Sequence, residues 1–290
     1  MTERFFRVIL IGISTKGEKY EEDREVYDML YVVSDTHGYA NKLKKALTKK
    51  GFFDDPDRKL LLCGDICDRG MQAVELCDFL VELLDEERLI LVKGNHEVLF
   101  EQMIKQIADG GVCEVASYGS HHYRNGTWHT ALQLADMDEG HAVAFPQMLL
   151  GRLMRTPFYQ KLLSAGVNYY ETKQYIFTHG YIPCIDNIKS YSYRKDWREA
   201  SDDEWQRAMW LNGMQMACGF HIREPKKTIV CGHYHTSWGH HFVDGRGSEF
   251  DRDADFSPFF ADGVIAIDAC TAASGRVNVL CFDTDGNQLL

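Results

Sequence analysis

Five short polar clusters, each placed directly after a run of strand character, constrain this chain more than any other feature. Met29-Leu-Tyr-Val-Val-Ser34 runs into Asp35-Thr36-His37-Gly38, and Lys59 to Cys63 runs into Gly64-Asp65-Ile66-Cys67-Asp68-Arg69-Gly70. Arg88 to Val92 leads to Gly94-Asn95-His96-Glu97, Tyr175–Thr178 ends in Thr178-His179-Gly180, and Thr228–Cys231 precedes Gly232-His233-Tyr234-His235. Further strands are expected at Val264–Asp268 and Arg276–Phe282. Helical patterns separate the first three strands. Leu43 and Leu47 lead to a C-cap at Gly51, and Met71 to Glu87 sets Val74, Cys77, Leu80, Val81 and Leu84 on one face. This alternation predicts right-handed βαβ units, hence an α/β fold with mainly parallel pairing. Ligands bind such sheets at the carboxyl ends of the strands, so clusters distant in sequence converge there.

The clusters share a chemistry. Asp, His and Asn supply oxygen and imidazole ligands that suit Mn, Fe and Zn, and no thiolate set accompanies them. Two metals are the natural count, because a carboxylate can bridge cations about 3.5–4 Å apart. A lone histidine such as His179 reads by itself as packed or solvated, but its strand-end setting places it with the ligands. Gly64, Gly94 and Gly232 read as turn glycines with positive φ.

The ordered set D-x-H, G-D-x-x-D-R-G, G-N-H-E, H and G-H-x-H resembles the calcineurin-like metallophosphoesterase superfamily. Its D-R-G and G-N-H-E forms are similar to the Ser/Thr phosphoprotein phosphatases and their bacterial relatives, which include diadenosine tetraphosphatases. The resemblance covers residues 29–100 and 172–282 well and two stretches, about 101–170 and 184–226, poorly. It implies two packed mixed β-sheets flanked by helices, with helical insertions over the active-site edge. It also implies that Asp35, His37 and His235 hold one metal and Asn95, His179 and His233 the other, with Asp65 bridging. His96 matches the histidine that protonates the leaving oxygen, Asp68 the carboxylate that orients it, and Arg69 the guanidinium on the phosphate. A hydroxide between the metals, manganese first and iron or zinc as alternatives, is the implied nucleophile.

The implied activity is hydrolysis of a phosphomonoester, from a phosphoprotein or a small phosphoester. A phosphodiesterase or dinucleoside polyphosphatase is the nearest alternative, and a metal-binding interaction module the non-enzymatic one. The opening Ser34-Asp-Thr-His-Gly resembles small bacterial phosphodiesterases, and the last motif carries His235 where protein phosphatases usually keep only the first histidine. No S-A-P-N-Y-C segment is present, and Asn212 stands where a second phosphate-binding arginine is sought, which leaves Arg194 or Arg223.

Composition adds exclusions. A net charge of −11 disfavours a nucleic-acid partner, which needs a positive footprint. Nine scattered cysteines without a CxxC pair fit a reduced, cytoplasmic protein with buried apolar thiols. The run Val8 to Ile13 is far short of the ~20 residues a membrane helix needs. Residues 1–28 read as an extension, either an added edge strand or the product of an upstream start, ahead of one domain over 29–290. Within the two insertions, helical pattern lies at Phe145–Leu163 and Ser201–Met216. His121 and His122 read as a solvated loop, Asp251 to Asp255 as a solvated turn, and Trp197, Trp205 and Trp210 as helix packing or a cleft lining. No G-x-x-x-x-G-K-[ST] loop is present.

Overall fold

A computed structural model of the chain describes residues 29–283 and 287–289; the expected extension over residues 1–28 lies outside these. Twelve strands are described: β1 (Met29–Val33), β2 (Lys59–Cys63), β3 (Leu89–Val92), β4 (Tyr170–Glu171), β5 (Tyr175–Phe177), β6 (Ile185–Asp186), β7 (Tyr191–Ser192), β8 (Thr228–Cys231), β9 (Phe259–Ala261), β10 (Val264–Ala266), β11 (Leu280–Asp283) and β12 (Gln288–Leu289). They form a sheet of order β12-β11-β1-β2-β3, a second of order β4-β5-β8-β10-β9, and the small pair β6-β7.

Parallel pairing holds at the centre of each large sheet and gives way to antiparallel pairing at the edges. β1, β2 and β3 are parallel, as are β5, β8 and β10, while β11, β12, β4 and β9 run antiparallel to their neighbours. The sheets are therefore mixed.

Strand periodicity explains why these runs are apolar throughout. Successive side chains point to opposite faces. Leu30, Val32, Leu61, Val92 and Phe282 of the first sheet face Phe177, Val230 and Ile265 of the second in the layer between them. Tyr31, Val33, Leu60 and Leu62 face outward, under the helices α1 (Ala40–Lys49) and α2 (Ala73–Asp85). On the far side, Ile176, Ile229 and Val264 pack under Trp197, Trp205 and Met214. The result is helix, sheet, sheet, helix, with apolar residues on both faces of each sheet.

Several expectations are corrected. α2 turns Leu76, Cys77, Leu80 and Leu83 inward and leaves Val74 exposed, because the helix carries two apolar stripes and the sheet takes the one containing Leu76. The helix expected over Phe145–Leu163 is interrupted: Pro146–Leu153 ends before Pro157, which lacks an N–H to donate, and a π-helical turn follows at Phe158–Leu162. The helix expected over Ser201–Met216 is also two pieces. Asp202–Ala208 is capped by Ser201 with Glu204, and a π-helical turn follows at Gln215–Gly219, after Asn212 Oδ1 accepts the Gln215 N–H at 3.1 Å. The strand expected over Arg276–Phe282 is β11, which starts at Leu280 rather than Arg276.

The first insertion follows α3 (Asn95–Ala108) with α4 (Val112–Val115), α5 (His121–Asn125) and α6 (Thr127–Ala135). His121 and His122 thus begin a short helix, capped where Ser120 Oγ accepts the Tyr123 N–H, and His122 is buried. All nine cysteines are free thiols, five of them buried, whereas Cys113 is exposed and Cys184, Cys218 and Cys270 are half-buried. Among the described residues no helix is long and apolar enough to cross a membrane.

Candidate metal centre

The site forms where β1, β2, β3, β5 and β8 end. Main-chain bonds extend the β1–β2 pairing past the strands, from the Asp35 N–H to Gly64 O (3.1 Å), His37 to Asp65 (2.9 Å) and Gly38 to Ile66 (2.7 Å). The chain then bends sharply. Asp35, His37, Asp65, Asp68, Arg69 and His233 all take positive φ, between 47° and 75°. Such conformations cost about 1–3 kcal/mol each and persist where the surroundings over-determine them, as at functional sites.

Of the three motif glycines, only Gly64 has the expected positive φ. Gly94 (φ −100°) and Gly232 are there for close approach: a Cβ would fall 2.2 Å from Asp65 Oδ1 at the first and 2.3 Å from Asp35 Oδ2 at the second. Glu97, named in the motif but given no role from sequence, is buried and accepts the N–H groups of Asp65 (2.9 Å), Ile66 (2.9 Å) and Gly94 (2.7 Å). It clamps together two loops that carry candidate ligands.

Asp65 lies at the centre. Its Oδ1 accepts the His96 N–H (3.1 Å) and sits 3.3 Å from His179 Nε2, while Oδ2 is 3.6 Å from His37 Nε2 and 3.7 Å from His96 Nε2. Two groups of ligand atoms result, His37 with Asp65 and His96, and Asp65 with His179 and His233; within each, the atoms lie within 4.8 Å of one another. Burial alone would raise the Asp65 pKa, but four imidazoles, His179 foremost, hold it well below the usual carboxylate range.

The rings are oriented by main-chain carbonyls. His37 Nδ1 donates to Cys67 O (3.0 Å) and His179 Nδ1 to Cys63 O (2.8 Å), which turns each Nε2 toward Asp65. Burial keeps His37 neutral, and lowers the His233 pKa to about 3 with help from His179. Neutral imidazoles are the form that binds metal.

Asp35 Oδ2 accepts the His233 N–H (3.0 Å), but its Oδ1, 4.0 Å from His37 Nε2, is buried without a hydrogen-bond partner among the described residues. Asn95 Oδ1 lies 2.7 Å from His179 Nε2, and Asn95 Nδ2 likewise lacks a partner. An orphaned carboxylate oxygen beside inward-facing imidazoles and a buried carboxamide fits a pair of cations with oxygen and nitrogen ligands.

His235 stands apart from both groups. Its Nε2 is 3.0 Å from Glu249 Oε1, and its ring packs between Tyr234 (4.9 Å) and Phe250 (4.5 Å). His240 bonds to Asp244 (2.9 Å) and the Ser257 carbonyl (3.1 Å).

His96 Nδ1 lies 2.6 Å from Asp68 Oδ2. Burial opposes the charged imidazole, yet Asp65 and Asp68 outweigh it and raise the pKa. The exposed Arg69 reaches over the site, with Nη1 2.8 Å from His37 Nε2 and Nη2 3.3 Å from His96 Nε2. Arg194 is engaged by Asp196 and Glu204, and Arg223 by Asp262.

Three further groups escaped the sequence. Asp268, just past β10, is buried beside Asp35 and Asp65; burial foremost lifts its pKa to about 6. Only its strand-end position hinted at it. Thr127 and Thr130 donate to Asp68 from the first insertion, with no signal in the sequence. Trp210, by contrast, was expected from sequence as helix packing or a cleft lining; about half exposed, it packs edge-on against His233 at 5.6 Å.

Known proteins resemble this chain in part of its sequence and in its fold. The chain is 30% identical over 78 residues to an asymmetrical bis(5'-nucleosyl)-tetraphosphatase of Anoxybacillus flavithermus, covering 24% of this chain and 31% of that one. It is 33% identical over 69 residues to a symmetrical bis(5'-nucleosyl)-tetraphosphatase of Buchnera aphidicola, covering 24% of each. The matches thus span a third or less of these curated relatives. Similar solved structures include a cold-active protein-tyrosine phosphatase of a psychrophilic Shewanella (TM-score 0.45, 16% identity, 91% of this chain and 80% of that one). Another is a protein serine/threonine phosphatase of Saccharomyces cerevisiae (TM-score 0.44, 14% identity, 91% and 74%). The family model for calcineurin-like phosphoesterases matches residues 29–262, from β1 to β9 and through every cluster built above, and the chain belongs to that family of metal-dependent phosphoesterases.

Proposed function

We propose that this chain hydrolyses phosphomonoesters with two metal ions, in the manner of protein Ser/Thr phosphatases. The carrying observation is the Asp65 carboxylate, which has His37 on one oxygen and His179 on the other. In this reading Asp35, His37 and Asp65 hold one ion, joined by His235 if its ring leaves Glu249, and Asp65, Asn95, His179 and His233 hold the second. When bound, the ions lower the pKa of a shared water and neutralise charge growing on the phosphoryl oxygens. Manganese is the first choice, with iron or zinc alternatives for the same donors.

The protein's own groups do the rest. Arg69 offers a planar fork that matches phosphate geometry and binds from the mouth of the site. His96, whose pKa Asp65 and Asp68 raise, gives its Nε2 proton to the leaving oxygen. The test is turnover of p-nitrophenyl phosphate, bis-p-nitrophenyl phosphate and β-glycerophosphate by the manganese-loaded protein. Monoester turnover should disappear on chelation and return with manganese. His96→Asn should slow β-glycerophosphate about 10²–10⁴-fold. A preference for the diester would refute the monoester reading.

A second reading, hydrolysis of a dinucleoside polyphosphate, is favoured by a cavity of about 620 Å³ in the second insertion. Trp210 and Leu211, Tyr191 and Ile185, and Arg207 line it, and Trp210 also touches His233. Its volume falls in the ~300–1,000 Å³ range of small-molecule sites. Arg207 makes no ion pair among the described residues, so a nucleotide can find both a ring to stack on and a cation for its phosphate. Nucleotide release from diadenosine tetraphosphate, followed by chromatography, tests it.

A further inference from the structure

We propose that the first insertion supplies positioning residues for leaving-group protonation: Thr127 and Thr130 of α6 hold the Asp68 carboxylate that orients His96. The inference rests on the reading of His96 as the proton donor. Thr127 Oγ1 donates to Asp68 Oδ2 at 2.8 Å, the same oxygen that His96 Nδ1 approaches at 2.6 Å. Thr130 Oγ1 donates to Asp68 Oδ1 at 2.7 Å and accepts the Asp68 N–H at 2.9 Å. All three side chains are buried.

The contact continues along the helix. Gln133, three residues on, accepts the Ala73 N–H at 3.1 Å and donates to Gly70 O at 3.1 Å. Positions 127, 130 and 133 lie on one face, so α6 presents a single polar stripe to the loop carrying Asp68 and Arg69. Gly126 lets the helix start so close: it has φ +93°, and a Cβ there would fall 2.6 Å from Arg69 N.

An ionised carboxylate only accepts hydrogen bonds, and bonds to it are charge-assisted. With a hydroxyl on each oxygen, the Asp68 carboxylate is fixed in plane, and the His96 ring is fixed with it. In the reaction, water's oxygen forms a P–O bond while the P–O bond to the leaving group breaks. The leaving oxygen takes the His96 Nε2 proton, which leaves that imidazole neutral. Misplacing the ring therefore harms substrates in proportion to how much their leaving group needs a proton.

That dependence separates positioning from packing. Thr127→Val, Thr130→Val and the pair keep the shape and remove the hydroxyls; Thr127→Ser removes a methyl and keeps the hydroxyl. The manganese-loaded variants are assayed on β-glycerophosphate, whose alkoxide must be protonated, and on p-nitrophenyl phosphate, whose phenolate leaves readily as an anion. The double variant should lose about 100-fold in kcat on β-glycerophosphate, a loss at least ten-fold greater than on p-nitrophenyl phosphate. Thr127→Ser should keep the wild-type ratio between the substrates. Equal losses on both, or none, overturn the proposal, as does a shifted ratio in Thr127→Ser, which also decides the matter should the valine variants fail to fold. If His96→Asn itself slows both substrates equally, the reading of His96 fails; if the wild type turns over neither, the phosphoesterase reading fails.

Discussion

The two insertions meet the site in opposite ways. The first turns a polar helical face onto the loop carrying Asp68 and Arg69, where Thr127 and Thr130 grip Asp68 and Gln133 grips Gly70, while Trp128 and Ala131 of the same helix join the core beneath α2 and α3. The second builds its own aromatic core under the other sheet. Trp197 and Trp205 meet edge-on (5.8 Å), Tyr169 from outside the insertion stacks on Trp205 (5.3 Å, 13°), the Trp197 indole N–H donates to Glu224 (2.9 Å), and Arg198 lies 4.1 Å over the Trp197 ring. Trp210 reaches the ligands from there, through His233. One insertion grips the Asp68 carboxylate and the other shapes neighbouring space, so under the proposed reading turnover and substrate choice should respond to different mutations.

The strongest challenge to that division is to empty each core. Trp128→Ala and Trp197→Ala should each cost about 3–5 kcal/mol, measured by urea denaturation. Only the first should also lower kcat on β-glycerophosphate in the surviving folded fraction, since Trp128 sits between the two threonines. A parallel kcat loss in Trp197→Ala would erase the distinction. Phenylalanine refines the comparison. Trp128 Nε1 has no partner among the described residues, whereas Trp197→Phe deprives Glu224 of a donor and should cost about 1–2 kcal/mol more than Trp128→Phe.

Next in size is Arg207→Gln, expected to raise the KM for diadenosine tetraphosphate about ten-fold, equivalent to about 1.4 kcal/mol, with kcat nearly constant. A fall in kcat instead would assign the second insertion to chemistry rather than selection. The smallest effect concerns Cys184, which lines the same cavity and whose thiol is pushed up to about 12 by burial. Since the thiolate is the nucleophile and a raised pKa moves its appearance to higher pH, alkylation by iodoacetamide should be slow at pH 8 and climb toward pH 12. Exposed Cys113, in the first insertion, should react first at pH 8, and AMP should slow Cys184 further if the cavity takes nucleotides.

Legibility in the sequence followed the range of the interactions. β2 and β8 match their expected bounds, and the other strands of the sheet centres shift by a residue or two, because five apolar residues followed by Gly or Asp is a local pattern. α2 was read at nearly the right length and with Cys77 and Leu80 rightly inward, but with Val74 in place of Leu76, since choosing between those two requires the sheet beneath. Asp35, His37, Asp65, Asn95, His179 and His233 carried a signal, each at a strand end with a ligating group. Thr127 and Thr130 carried none: a threonine in a helix is ordinary, and its partner is about sixty residues away. Asp268 was hidden because a single aspartate after a strand is a common turn former.

The sequence by itself determined the element types at the sheet centres, the order of the polar clusters and the kind of chemistry their atoms allow. These depend on side-chain periodicity and on donor identity, which every residue carries with it. Only the tertiary structure decided that Asp65 lies between two histidine groups, that His235 turns to Glu249, that Glu97 ties two loops together and that α6 braces Asp68. Those relations depend on where loops from different strands and an inserted helix come to rest, and packing of the whole core fixes that position to within a hydrogen bond's length.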